Sequence, residues 1–403
     1  MTDLHRVLTE ATDHLRSPDL ADRAQAGAGR RRARRTTLGA LAVVVLLGGG
    51  VTWTVQDRVP RVEVVDTPAP SPTAIETNEG RMGTQPLWDP FTVAGAQRGQ
   101  SVLPQRLDPP PDPTSVFDSP ISAVVVAWPE EGRALRLLSP DGEWRSVPGT
   151  ESLGESTLYD VVSPAISRDG RLVAFSAEEG LWVVDVSSGE RRVLPWPAEI
   201  AGPWDTLPGV RWMPGDEAVL VSHWNTPWIV GLDGSDEDAS YLGQYTATVA
   251  VDPDGPLLQR RFRSGSLVEW RDGEVVNRLD DDIAWGERMV AGHGMVAITG
   301  GLGGGAFAGP IVIDTATGER VAYAPIRDRN SEYSDNGFLT AQGFLDEDTL
   351  LLLVGPINFR TMDIGEEQWH LVAWHFRTGD FELITSGDTL MRGIEVAPDL
   401  LGD

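Results

Sequence analysis

The chain of 403 residues contains no cysteine and no lysine. Without cysteine there is no disulfide framework, cysteine nucleophile, cysteine-ligated zinc or iron–sulfur cluster, or lipid-modified cysteine anchor. All 33 basic residues are arginines, and 60 acidic residues bring the formal net charge to −27. The excess lies in residues 38–403, which hold 25 arginines against 55 Asp and Glu residues. Because this part repels phosphates, we expect no nucleic-acid partner.

Several motifs that carry chemistry are missing as well. The sequence has no Gly-x-Ser-x-Gly elbow and no His-Glu-x-x-His motif, and its six histidines show no metal-ligand spacing. The acidic stretches 252–255 and 280–282 do not follow the calcium-loop pattern. No helix is predicted after the glycine-rich run 300–305, as a phosphate site would need. The sequence therefore predicts no catalytic residue, no metal and no cofactor.

One apolar run is long enough to cross a membrane. Residues 36–56 carry no charge, and about 20 residues span the hydrocarbon of a bilayer as a helix. Five arginines lie just before this run, between 30 and 35, and arginines stay on the cytoplasmic side. We expect a transmembrane helix in the cell membrane, single-pass, with a cytoplasmic N-terminus and an extracellular C-terminal domain. A cleaved secretory signal is the alternative.

The segments on either side of this run differ in character. Residues 1–35 place leucine, valine and alanine at helical spacing, which predicts a cytoplasmic helical stub. The stub either docks a cytoplasmic partner or lies near the lipid headgroups. Residues 56–120 contain 12 of the 29 prolines, and proline blocks both helices and central strands. Residues 57–114 are therefore predicted to be an extended, Pro-rich extracytoplasmic linker.

From about Ile121 onwards the pattern is that of an all-β protein, with short apolar runs between Gly and Asp turns. One turn type recurs six times, with its glycine at Gly142, Gly189, Gly234, Gly273, Gly318 and Gly379. The spacing averages about 47 residues, the length of one four-stranded blade. We expect 115–403 to form a six-bladed β-propeller of four-stranded antiparallel blades. Each of these glycines would supply the positive φ of a hairpin.

The two ends of this domain predict how the ring closes. Proline-rich sequence precedes Ile121, so the first blade lacks an innermost strand. Residues 393–399 resemble the first-strand segment of the unit that begins at Ser163. We expect this tail to insert into the first blade, which would remove open sheet edges. The alternative is a frayed C-terminus.

The unit beginning at Ser163 also carries a resemblance. From Ser167 it reads Ser-x-Asp-Gly-x-Leu-Val-Ala-Phe, then Gly-Leu-Trp-Val-Val-Asp, and it ends in Ser-Gly-Glu at Glu190. It resembles the WD40-like blades of TolB-type propellers. The resemblance implies a propeller fold and a bacterial envelope setting, and it implies no catalytic residues. The whole layout is similar to that of membrane proteins of high-GC Gram-positive bacteria.

The long loops of the predicted propeller fall on one face, where second strands lead to third strands and fourth strands lead to the next blade. Insertions gathered on one face indicate a binding surface, and Trp, Tyr and Arg are typical of hot spots. The candidate binding residues in these loops are Trp204, Asp205, Arg327, Arg329, Tyr333, Asn358, Arg360 and Asp363. The alternative is a set of solvated loops that bind nothing.

Three functions are compatible with these patterns. The first is a non-catalytic binding or scaffolding module for a protein or envelope ligand on the long-loop face. The second is a glycan-active hydrolase or lyase that uses carboxylates in the funnel, with Asp205 and Asp363 as a candidate pair. The third is a signal transducer that acts through the cytoplasmic stub 1–35.

Overall fold

The computed structural model describes residues 97–401 with several internal gaps. The gaps are 131, 155–162, 201–206, 224–225, 243–248, 254, 261–265, 280–282, 285–288, 303–307, 325–336, 357–368 and 388–392. The predicted stub 1–35, the anchor 36–56 and most of the linker lie outside the described residues. Within the described ranges, no helix combines the length and the apolar character needed to cross a membrane.

The described chain folds into six small antiparallel sheets, numbered here as blades 1 to 6. Blade 1 contains β2 (Val126–Trp128), β3 (Leu135–Leu138) and β4 (Trp144–Val147), and blade 2 contains β5 (Ala165–Ile166), β6 (Leu172–Ala177), β7 (Gly180–Asp185) and β8 (Glu190–Leu194). Blade 3 contains β9 (Gly209–Trp212), β10 (Ala218–His223), β11 (Thr226–Gly231) and β12 (Asp236–Asp238), and blade 4 contains β13 (Val249–Val251), β14 (Leu257–Arg260), β15 (Leu267–Arg271) and β16 (Glu274–Leu279).

The remaining strands complete the set. Blade 5 contains β17 (Ile283–Ala284), β18 (Met289–Gly292), β19 (Met295–Leu302), β20 (Ala308–Asp314) and β21 (Arg320–Tyr323), and blade 6 contains β22 (Gly337–Asp346), β23 (Thr349–Pro356), β24 (Trp369–His375) and β25 (Asp380–Gly387). The first and last strands, β1 (Gln97–Arg98) and β26 (Glu395–Val396), join blades 6 and 1. Among the described residues, short 3-10 turns lie at Glu151–Gly154, Ser240–Leu242 and Pro398–Leu400.

Six apolar clusters hold the blades together, one between each pair of neighbours. Leu351 and Leu353 of blade 6, for example, pack with Val126 and Leu138 of blade 1. Because blade 6 packs on blade 1 as well as on blade 5, the sheets form a closed ring. The predicted all-β fold, a six-bladed propeller with four-stranded antiparallel blades, is confirmed.

The burial pattern follows from this packing. Five of the six residues of β7 are buried, as is every residue of β24 except His375, because the middle strands have a blade on either side. Continuous apolar runs of this length are typical of strands buried on both faces. The outer strands face solvent, so that Val275 and Val276 of β16 are 43% and 51% exposed.

The repeated turn has the geometry that its glycine predicts. All six glycines identified from the sequence have a positive φ, from 70° at Gly189 to 88° at Gly234. They lie between the third and fourth strands of each blade, where a left-handed residue matches the twist of a tight hairpin. The hairpin prediction is therefore confirmed in every blade.

The C-terminal tail closes the ring from the inside. β26 pairs antiparallel with β2, so that Val396 faces Val126 and Glu395 faces Ala127. The N–H of Ala397 donates to the carbonyl of Val125 at 3.0 Å. The tail thus supplies the innermost strand that blade 1 lacks, which confirms the prediction of ring closure.

The N-terminal end of the described chain closes the same seam from the outside. Residues 97–116, called here the outer clasp, begin with β1 pairing parallel to β25. Leu103 and Leu107 are each 2% exposed and belong to the cluster between blades 6 and 1. Further along, the N–H of Val116 donates to the carbonyl of Ser146 in β4 at 2.9 Å. The described end of the predicted linker therefore packs on the propeller.

Candidate functional site

The inner strands of the six blades line a cavity of about 410 Å³ at the axis of the propeller. It opens on the face where the first strand of a blade turns into the second. Every blade contributes at least one side chain. One from each blade, half-buried or, in blade 6, buried, is found in this set: Glu395, Ile166, Arg211, Val251, Ala291 and Gln342. Three of these six side chains are apolar, one is acidic, one is basic and one is an amide.

Turns form the rim of the cavity. The first turn of blade 3 contributes Gly215 and Asp216, that of blade 5 contributes His293, and the C-terminal 3-10 turn contributes Asp399. Asp216 and His293 have φ values of 55° and 54°, a left-handed conformation in which Asp, Asn and His are enriched among non-glycine residues. These tight turns keep the rim short, so the inner-strand side chains remain accessible from solvent.

One residue links three parts of the rim. The main-chain N–H of Arg168 donates to Oδ2 of Asp216 at 3.0 Å, and Nε of Arg168 donates to Oδ2 of Asp399 at 3.1 Å. The side chains of Arg168 and Asp399 are 48% and 36% exposed, and ion pairs this exposed contribute only about 0–1 kcal/mol. The effect of these contacts is to hold side chains in place. Arg168 of blade 2 positions the carboxylate of Asp216 from blade 3 and that of Asp399 from the C-terminal turn.

Asp216 is the acidic group of the rim whose pKa is shifted upwards. Burial raises the pKa of Asp216 above its usual value, and the charges of Asp169 and Asp399 act in the same direction. The main-chain N–H and the charge of Arg168 oppose this shift. Among the residues that the structure describes, the second oxygen of Asp216, Oδ1, accepts no hydrogen bond. A donor that entered the cavity would therefore find an acceptor there.

The rest of the wall is apolar. Ile166, Met213, Val251 and Ala291 are half-buried and line the cavity, while Phe344 behind them is 4% exposed. A few polar groups among apolar ones is the composition of most ligand sites. The walls come from strands packed on both faces, which makes the shape of the cavity rigid.

A second cavity, of about 430 Å³, lies between the outer clasp and blade 6. There His375 receives contacts on both ring nitrogens: Oγ1 of Thr349 lies 3.0 Å from Nδ1, and Oε2 of Glu382 lies 3.6 Å from Nε2. This resembles the order of a hydrolytic triad, but Thr349 is only 3% exposed, and a nucleophile must reach its substrate. We therefore assign these contacts to holding blade 6 together.

Metal-ligating side chains do not gather in the described part of the chain. No group of three or more His, Asp and Glu residues there is arranged to hold a metal ion. His370 and His375 both lie in β24. His370 is 2% exposed, and its Nδ1 lies 2.7 Å from Oγ of Ser386.

All eight loop residues predicted to bind a ligand lie outside the described residues. They are Trp204, Asp205, Arg327, Arg329, Tyr333, Asn358, Arg360 and Asp363. The described strands show which connections hold them: 201–206 joins β8 to β9, 325–336 joins β21 to β22, and 357–368 joins β23 to β24. These are the fourth-to-next and second-to-third connections, as expected. The role of the eight residues in binding stays a prediction.

The axial cavity opens on the other face and was not predicted from the sequence. Its rim consists of first-to-second turns, and three of these connections carry a visible signal in the sequence: Asp169-Gly170, Gly215-Asp216 and Asp254-Gly255. Turns of this kind also occur wherever a hairpin is tight. They do not distinguish a rim from an ordinary turn.

Several solved structures are similar to this chain at low identity. No model of a protein family matches the chain, and no curated protein matches it. Among solved structures, the putative TolB from Agrobacterium tumefaciens is 11% identical with a TM-score of 0.41, over 66% of this chain and 89% of that one. The propeller domain of the Trilobed protease from Pyrococcus furiosus is 11% identical with a TM-score of 0.39, over 62% and 76%.

A third similar structure is the hydrazine synthase of Kuenenia stuttgartiensis. It is 12% identical with a TM-score of 0.36, and the match covers 53% of this chain and 61% of that chain. This chain therefore spans about three fifths of the hydrazine synthase chain. Likenesses at these levels concern the fold alone.

Proposed function

We propose that this protein is a membrane-anchored, extracytoplasmic propeller that binds a protein or envelope ligand without catalysing a reaction. The observation that carries the proposal is the axial cavity, which all six blades line. Its volume of about 410 Å³ falls in the range of roughly 300–1,000 Å³ typical of ligand sites. The eight loop residues on the opposite face are a second candidate surface for the same class of partner.

The location outside the cell membrane rests on the sequence. The uncharged run 36–56 and the five arginines before it favour a helix with its N-terminus in the cytoplasm. We expect the full-length protein to sediment with membranes and to withstand extraction by salt. Protease added to intact cells without a wall should cleave the propeller. A soluble protein, or a propeller protected from protease, would contradict the placement.

Cross-linking in living cells tests the binding function. A photo-cross-linking amino acid at His293 lies on the exposed rim of the cavity, and the same amino acid at Val276 lies on the exposed outer strand of blade 4. We expect illumination to give a discrete adduct from position 293 and none from position 276. The proposal fails if the cavity position gives no adduct, or if both positions give the same adducts.

A glycan-active hydrolase or lyase is the second candidate, because two of the carboxyl groups that line the cavity, those of Asp216 and Asp399, lie in different environments. The pKa of Asp216 is raised, chiefly by burial, whereas Asp399 is paired with Arg168. A carboxyl group with a raised pKa is suited to donate a proton to a leaving oxygen. If this candidate is correct, the full-length protein releases reducing or unsaturated ends from envelope glycans, and Asp216→Asn abolishes the release. If neither the natural protein nor the Asp216→Asn variant releases such ends, the glycan-active candidate is eliminated.

A further inference from the structure

We propose that the axial cavity binds a basic side chain, an arginine or lysine that a loop of the partner protein inserts along the propeller axis. This inference rests on the proposed binding function and adds the chemistry of the ligand. It is carried by the charges that line the cavity, by the apolar wall beside them, and by the cavity's volume and position.

The charges in the cavity favour a cation. Three carboxylates line it, those of Asp216, Glu395 and Asp399, against the two guanidinium groups of Arg168 and Arg211. Arg168 already donates from Nε to Asp399, and its main-chain N–H donates to Oδ2 of Asp216. Oδ1 of Asp216 is the acceptor that a bound guanidinium or ammonium group would use. A hydrogen bond between two charged groups is roughly twice as strong as one between neutral groups.

The apolar wall fits the rest of such a side chain. Arginine and lysine bury their methylene stems on apolar surfaces while the charged end reaches a polar group. Ile166, Met213, Val251 and Ala291 provide that surface in the same cavity. A small inorganic cation would use the carboxylates and leave this surface uncovered. A side chain with an aliphatic stem covers both.

The setting favours a partner protein as the source of the cation. The cavity volume of about 410 Å³ admits one or two side chains, and the exposed turns around it offer a surface on which a loop can rest. The 25 arginines and 55 acidic residues of 38–403 create a negative field, which speeds the association of basic partners. Small free cations carry the same charge, so the experiment must distinguish a free cation from a side chain of a partner protein.

The test uses the full-length protein in detergent micelles and three probes. They are the end-blocked peptide Gly-Gly-Arg-Gly-Gly, the same peptide with neutral citrulline in place of arginine, and n-butylguanidine, which carries the single guanidinium charge and an aliphatic stem without the peptide. We expect the arginine peptide to bind at least about tenfold more tightly than the citrulline peptide, a difference of about 1.4 kcal/mol. Butylguanidine binding as tightly as the peptide would assign the cavity to small free cations and overturn the partner loop.

Variants locate the binding. Asp216→Asn should weaken the binding of the arginine peptide about tenfold, since it removes the charge and keeps the shape. Ala291→Leu should block binding by filling the cavity. Asp236→Asn, on the exposed outer strand of blade 3, is the matched control and should change nothing.

The inference is wrong if the two peptides bind equally, or if Asp216→Asn and Asp236→Asn have the same effect. An adduct from position 293 without a preference for arginine would leave the proposed function standing and remove only this inference. If neither adduct nor arginine preference is observed, both fail.

Discussion

The outer clasp should carry a measurable share of the stability of the seam between blades 6 and 1. Leu103 and Leu107 of the clasp are each 2% exposed in the cluster at that seam. Replacing a buried leucine by alanine costs about 2–5 kcal/mol, against a typical total of about 5–15 kcal/mol for a domain. Because the clasp packs on the outside of the ring, we expect the loss to appear as local opening of its contact with β25.

A single engineered cysteine reports this opening, since the natural chain has none. Thr385 is fully buried beneath the clasp, and its Oγ1 donates to the carbonyl of Pro104 at 2.7 Å. In a Thr385→Cys background, Leu103→Ala should raise the rate of thiol labelling by roughly 30-fold for the lower value of about 2 kcal/mol. Leu107→Ala should act similarly.

A leucine elsewhere provides the control. Leu220 is fully buried between blades 3 and 4, so Leu220→Ala should lower the overall free energy of unfolding about as much. It should leave the engineered thiol at position 385 protected under native conditions, because the clasp remains docked. The reasoning is refuted if Leu103→Ala leaves labelling unchanged, or if Leu220→Ala accelerates it equally.

Three further predictions concern single contacts. Cysteines replacing Val126 and Val396, which face each other across β2 and β26, should form a disulfide that raises the Tm; free thiols in the folded protein would contradict the closure. Oγ1 of Thr340 is buried and has no hydrogen-bond partner among the described residues, so Thr340→Val should raise the free energy of unfolding by about 1 kcal/mol; a loss in denaturant titration would show that the hydroxyl is satisfied. Burial lowers the pKa of His370 to about 4. As the pH falls from about 6.5 to about 4, the unfolded chain therefore binds more protons than the folded chain, and the free energy of unfolding should decline over that interval. His370→Phe should flatten this dependence of stability on pH, and an unchanged dependence would contradict the assignment.

The architecture was predictable because hairpin chemistry is local. A glycine with positive φ is required at each third-to-fourth turn, and Gly142, Gly189 and the rest recur at blade spacing whatever the intervening residues are. The tail 393–399 was predictable for the same reason, since it repeats the pattern of another first strand.

The outer clasp was not predictable from the same patterns. Its prolines, such as Pro109 to Pro111, indicate an extended chain that cannot join a central strand. They do not tell which sheet edge the chain follows. The docking depends on Leu103 and Leu107 meeting a cluster formed by residues more than 200 positions away in blade 6.

The axial cavity was missed because no segment contains it. Each inner strand contributes only a few side chains, and Arg211 or Glu395 taken alone looks like a polar residue at the end of a short strand. Only the ring brings six such residues together. The long loops predict a binding surface on the opposite face, and the eight candidate residues in those loops lie outside the described part of the chain.

Methyl NMR of the methionines tests the central claim, that the axial cavity is the ligand site, most directly. The chain has only seven methionines; Met213 and Met289 line the cavity, whereas Met295 lies in the cluster between blades 5 and 6. On addition of the arginine peptide to the full-length protein, we predict shifts for Met213 and Met289 and none for Met295. If the protein is saturated with the peptide and the methyl signals of Met213 and Met289 do not shift, the account is contradicted.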